Sequence, residues 1–223
     1  MNILVVAPHA DDEVLGCGGV MAKYAHAGHY VSVAIMTDAS VGAPEIFTPD
    51  MIETSRGEAK RAHQVLGVKE TFFFDFPAPR LETAPSYIIA NELSKLVKEQ
   101  SIETIFLPHR GDIHKDHEVV FNAGLVAVRP INGCPVKNVY SYETLSETEW
   151  AVPFGNDVFI PTIYENISGF FDQKVEAMRC FRSQLKQFPH SRSIETLECL
   201  AKFRGSTVGH SHAEAFGLIR SIR

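Results

Sequence analysis

The sequence predicts an α/β fold built on a mostly parallel sheet with helices on both faces. Three observations predict it. The opening run NILVVA (Asn2–Ala7) is continuously apolar, as a strand buried on both faces requires. Strand and helix patterns then alternate as far as Glu143. Glycines stand where the first two helices must stop, at Gly28 and Gly67.

Taken in order, Glu13–Gly28 has helical apolar spacing, and Tyr30–Thr37 is a β-branched strand run. Met51–Val68 is amphipathic, and Thr71–Phe76 is strand-like. Ser86–Gln100 reads as a helix, Thr104–His109 as a strand, His117–Val128 as a helix and Lys137–Glu143 as a strand. This order is Rossmann-like, and such sheets place ligands beyond the carboxyl ends of their strands. From about Trp150 the texture changes: phenylalanines cluster between Phe154 and Phe188, with helices near Phe170–Gln187 and Ser193–Phe203. Residues 1–223 are read as one domain, with an α/β core over 1–148 and a C-terminal extension over 149–223 packed over the sheet.

Composition narrows the function classes. The 223 residues are 45% hydrophobic and 22% charged, ordinary for a globular chain with one core. A net charge of −6 argues against nucleic acid as the main partner. No apolar run approaches the roughly 20 residues of a membrane span. MNILVVAPHADDE lacks the basic start of a signal peptide and reads as a core strand. Cys17, Cys134, Cys180 and Cys199 form no C-x-x-C pair and read as reduced thiols of a cytoplasmic protein, Cys17 as a small packing residue.

Two segments carry chemistry. In PHADDEVLGCGG (Pro8–Gly19), Gly16, Gly18 and Gly19 do not have dinucleotide-loop spacing, and Asp11, Asp12 and Glu13 would repel a pyrophosphate. The glycines instead allow close helix packing. A histidine and a carboxylate three residues apart, His9 and Asp12, can converge on one divalent ion, and a neighbouring carboxylate can take a proton from metal-bound water. Glu13 suits the positive end of the helix or a supporting place behind the site. The second segment, PHRGDIHKDHEVV (Pro108–Val120), holds three histidines and two aspartates beyond another strand. His117 completes a His-Asp-His set that leaves a fourth position open, as a catalytic zinc site requires. Asp116 can orient a histidine ring. His109, Arg110 and Lys115 read as solvated loop residues.

PHADDE followed by HKDH resembles the PIG-L/LmbE-like family of zinc-dependent N-acetylglucosamine-type deacetylases. The likeness continues through EAKRAHQVLGV (Glu58–Val68) and Ile167–Gln184. Pro189–Phe216 is similar to the tail of the bacterial branch that includes bacillithiol-pathway deacetylases. The resemblance implies one Zn²⁺ per chain on His9, Asp12 and His117. It implies Asp11 as base, His114 beside the substrate carbonyl and Asp116 in support. It also implies an acetamido-sugar substrate and assembly into homo-trimers or hexamers. Two positions depart from the pattern. Arg56 stands two residues before Glu58 where relatives often have arginine three before, and His212 replaces a frequent tyrosine before AEAF. His212 could still hold an oxyanion, and Arg56, His190 and Arg192 are candidate substrate contacts. Arg204 could meet an acidic aglycone or form an ion pair. The competing readings are a zinc amidohydrolase of a non-sugar metabolite, a magnesium- and nucleotide-binding α/β protein, and a non-catalytic sugar binder.

Overall fold

The structure, a computed structural model, describes residues 1–223. Five strands follow the expected order: β1 (Asn2–Ala7), β2 (Tyr30–Asp38), β3 (Glu70–Pro77), β4 (Thr104–Pro108) and β5 (Asn138–Tyr142). The helices between them are α1 (Asp12–His26), a single turn α2 (Ala39–Gly42), α3 (Pro49–Leu66), α4 (Ser86–Glu99) and α5 (Lys115–Ala127). The remainder supplies β6 (Ile163–Asn166), α6 (Phe171–Arg179), α7 (Ile194–Thr207) and β7 (Ala213–Ser221).

The sheet order is β3-β2-β1-β4-β5-β7-β6. The first five strands are parallel, and β7 runs antiparallel to both β5 and β6. The extension therefore packs on the sheet as expected and also lengthens it with β7 and β6. The chain moves outward from β1 through β2 to β3, then returns to place β4 on the other side of β1. This reversal opens a crevice between the carboxyl ends of β1 and β4, where both chemical segments emerge.

The continuous apolar character of β1 has a direct cause. Ile3, Val5 and Ala7 enter one core with α1, α3, α6 and α7 residues, while Leu4 and Val6 enter a second core with α4 and α5. Local chemistry sets the helix ends. Thr48 Oγ1 accepts from the Met51 N–H to start α3, with Pro49 at its first position, and Gly67 ends it at φ 76°. Gly16 permits a close approach: a Cβ there would lie 2.2 Å from Tyr142 Cδ2. Cys17 is buried among these contacts, and all four cysteines are free.

The late helix is shorter than expected. It ends at Arg179 because Phe181 turns into the core and Glu58 captures the next turn, accepting from Ser183 N–H at 3.1 Å and from its hydroxyl at 2.5 Å. The chain thereby freed becomes a wall of the site.

Candidate active site

The turn after β1 is built around a strained residue. Asp11 has φ 122° and ψ −27°, a conformation costing a non-glycine residue about 1–3 kcal/mol. Its carbonyl accepts the N–H groups of Val14 and Leu15, but its side chain does not cap the helix. The carboxylate is thus left to face a cavity of about 530 Å³. Asp12 closes the turn by accepting the His9 N–H at 2.9 Å.

His9, Asp12 and His117 bring one nitrogen or oxygen each within 4.8 Å of one another. Asp12 Oδ2 lies 3.3 Å from both His9 Nδ1 and His117 Nε2. The far nitrogen of each ring is already assigned. His9 Nε2 meets Asp116 Oδ2 at 3.1 Å, and His117 Nδ1 meets Asp112 Oδ2 at 2.8 Å. With those nitrogens donating, His9 Nδ1 and His117 Nε2 point lone pairs at one place. His117 Nε2 and Asp12 Oδ1 are buried without a hydrogen-bond partner. Two imidazole nitrogens, one carboxylate and orphaned donor atoms fit a zinc-type ion.

The carboxylates behind the rings are themselves anchored. Asp116 Oδ1 accepts Leu81 N–H at 2.9 Å, and Asp112 Oδ1 accepts the Thr148 hydroxyl at 2.6 Å. Asp116 does not line the cavity; its two oxygens are taken up by His9 Nε2 and the Leu81 N–H. Burial alone would push both rings down. The Asp116 and Asp12 hydrogen bonds instead raise His9 to about 9, and the Asp12 charge with the Asp112 hydrogen bond raises His117 to about 10.

His114 caps α5, accepting the Asp116 N–H on Nδ1 at 3.2 Å, which is why the helix starts two residues earlier than expected. Its ring lies 4.5 Å from that of His9, and it lines the cavity. Burial and the neighbouring His9 lower it to about 4, so it faces the cavity as a neutral ring with Nε2–H as its donor. Burial pushes the Asp11 carboxyl up to about 8 against the opposing charge of Arg192, whose Nη1 is 3.4 Å from Asp11 Oδ2.

Arg192 reaches the site from the extension. Its guanidinium also binds Ser146 Oγ at 2.6 Å and Gln184 Oε1 at 3.1 Å, with Glu147 Oε1 at 3.5 Å. Arg56 lines the same cavity, held by Asp75 at 2.6 Å, Asp38 at 3.3 Å and the Phe74 carbonyl at 3.2 Å. Phe47, Ile52 and Ile35 supply an apolar wall.

Two candidate substrate contacts are not brought to the cavity. His212 stacks on Phe171 at 4.3 Å, because its carbonyl accepts Ile167 N–H just before β7 begins. It is therefore not placed to hold an oxyanion. His190 is exposed beside Trp150 and accepts the Arg192 N–H, so it shapes the loop rather than the cavity wall. Arg204 forms a two-pronged ion pair with Glu143 at 2.8 and 2.7 Å. His109, expected to be solvated, is buried and contacts the Asp157 carbonyl at 2.7 Å. Glu13 stands in the first turn of α1, as expected, and is wholly buried.

Sequence reasoning passed over Asp112, Glu147 and His63. Asp112 had a local signal, an acid five residues before the candidate ligand His117. Glu147 and His63 had none, since only folding brings their segments to the site.

The chain is similar to known proteins along most of its length. Residues 4–128 match the family described as PIG-L: GlcNAc-PI de-N-acetylase. The uncharacterized deacetylase YaiS of Escherichia coli K12 is 28% identical over 188 residues, 82% of this chain and 91% of that protein. The diacetylchitobiose deacetylase of Thermococcus kodakarensis is 24% identical over 232 residues, covering 99% and 84%. The crystal structure of GalB, the 4-carboxy-2-hydroxymuconate hydratase of Pseudomonas putida KT2440, superposes with a TM-score of 0.80 at 20% identity, covering 100% and 98%. That last likeness shows the fold alone. The family match and the named activities of the relatives define the chain as an N-deacetylase, a hydrolase of amide bonds. The chain belongs to the PIG-L family.

Proposed function

We propose that this protein hydrolyses the N-acetyl group of an N-acetylglucosamine-type sugar conjugate, giving acetate and a free amine, with one zinc ion per chain held by His9, Asp12 and His117. The observation that carries the reading is Asp11. Its carboxylate is held beside the His-Asp-His set by a strained backbone and faces a cavity large enough for a sugar. Zinc bound in such a set lowers the pKa of water and polarises a carbonyl. Asp11 accepts the proton of the attacking water and returns it to the leaving nitrogen. His114 donates its Nε2–H to the carbonyl oxygen as charge develops there. Burial raises the Asp11 carboxyl, and Arg192 together with the positive charge of a bound ion would favour its charged form, while Arg56 lines the same cavity.

The named activity of the T. kodakarensis relative supports an acetamido-sugar substrate. No helix is long and apolar enough to cross a membrane. Four free cysteines suit a cytoplasmic setting, and exposed Trp150, Phe154, Ile160 and Phe203 suit assembly into a trimer or hexamer.

The test is acetate release from diacetylchitobiose, glucosaminyl conjugates and nucleotide sugars, with and without a chelator. Chelator-sensitive release from at least one acetamido sugar is expected. Release only from non-sugar N-acetyl compounds would overturn the substrate class, and full activity after complete metal removal would overturn the zinc.

A further inference from the structure

Behind Asp11 runs a chain of buried polar groups that the proposed chemistry does not use. The Asp11 N–H donates to Glu13 Oε2 at 3.1 Å. Glu13 Oε1 lies 2.9 Å from His63 Nε2, and His63 Nδ1 lies 2.8 Å from Thr71 Oγ1. Glu13 is 0% exposed and His63 2% exposed. The chain joins α1 to α3 and β3, and it ends on the residue with φ 122°.

A helix-start acid could satisfy the helix from the surface. Glu13 is instead buried, where a carboxylate without partners is unfavourable. Its two oxygens are divided between two tasks. One holds the N–H of Asp11, whose backbone would otherwise relax toward a commoner conformation. The other needs a donor that arrives from a different element, and His63 supplies it. Thr71 completes the second ring nitrogen and sets the orientation of the imidazole.

We infer that His63 and Glu13 are positioning residues for the reaction: through Glu13, His63 holds the strained Asp11 backbone and so aims the Asp11 carboxylate. The inference rests on the reading of Asp11 as base given above. Neither residue lines the cavity, so their effect reaches turnover through the placement of Asp11 rather than through substrate contact.

The experiment compares His63→Leu, His63→Gln and Thr71→Val in the zinc-loaded full chain acting on diacetylchitobiose. Gln can keep a donor towards Glu13, whereas Leu cannot. His63→Leu is expected to lower kcat by about 10- to 100-fold, the scale of a misplaced catalytic group, with KM and zinc content unchanged. His63→Gln should recover most of that loss, and Thr71→Val should show a smaller loss of the same kind. Amide hydrogen exchange at Asp11 provides a readout independent of turnover, expected to quicken in His63→Leu and Thr71→Val but not in His63→Gln. If His63→Leu does not fold, the contrast between the other two variants decides. Parental kcat together with parental Asp11 exchange would overturn the inference, as would equal losses in the Leu and Gln variants. A parent protein inactive on every acetamido sugar would sink the functional reading, while the exchange data would still judge the positioning.

Discussion

Asp112 Oδ2 lies 2.8 Å from His117 Nδ1, and this contact directs the opposite nitrogen of the ring toward Asp12. Both residues are buried, and Thr148 holds the remaining Asp112 oxygen. Removing the carboxylate frees the ring to rotate and weakens its basicity. Asp112→Ala is expected to lower zinc affinity by about 10- to 100-fold, measured by competition with a chromophoric chelator. Unchanged affinity would show that packing alone orients His117.

Asp11→Asn keeps the size of the side chain and leaves all three proposed ligands untouched. It is expected to retain zinc while kcat falls by about 10²- to 10⁴-fold, the range of a lost general base. Metal analysis and acetate release on the same sample check this. Near-parental turnover would remove Asp11 from the chemistry.

The proton load of the metal-free cluster makes a pH prediction. His9 and His117, raised to about 9 and 10, carry protons at neutral pH, and a ring must lose its proton before it can bind an ion. Zinc uptake should therefore release protons, and affinity should rise as pH increases from 7 toward 9. Calorimetric titrations in buffers of different ionisation enthalpy measure the release. Uptake with no proton released would contradict the assigned ligands.

Gly16→Ala tests the packing that seats the site. The added Cβ would collide with the Tyr142 ring, whose hydroxyl donates to the Val6 carbonyl at 2.9 Å. The expected cost is about 1–3 kcal/mol or more in chemical denaturation, with lower zinc affinity as α1 shifts. A fully stable variant would mean that Tyr142 yields easily.

Lys174 and Glu214 form a buried ion pair at 2.5 Å that joins the extension to α1. Glu214 accepts the N–H groups of Gly19 and Val20, and Lys174 donates to the Leu15 carbonyl. Lys174→Met leaves Glu214 buried without its cation and should destabilise the protein by about 3–5 kcal/mol. Chemical denaturation measures it, and a loss under 1 kcal/mol would show that the backbone donors alone support Glu214.

Much of the architecture was legible because its determinants are local. The double-sided apolar pattern of Asn2–Ala7 required a central strand, and Gly67 required the end of α3. His9 and Asp12 share one turn, and His114, Asp116 and His117 share one helix start, so their spacing carried information about geometry. Strand β7 was not legible: Ala213–Ser221 owes its form to pairing between β5 and β6 rather than to its own pattern.

The sequence by itself determined the order of strands and helices as far as β5 and which histidines and aspartates could meet a metal, because periodicity and short covalent spacing act within a few residues. Tertiary structure decided which groups serve those residues. It brought Arg192 to Asp11 from the extension and His63 to Glu13 from α3, and it carried His212 away onto Phe171. Such pairings arise when the sheet order closes and buried charges must find partners, a condition that no stretch of the chain contains alone.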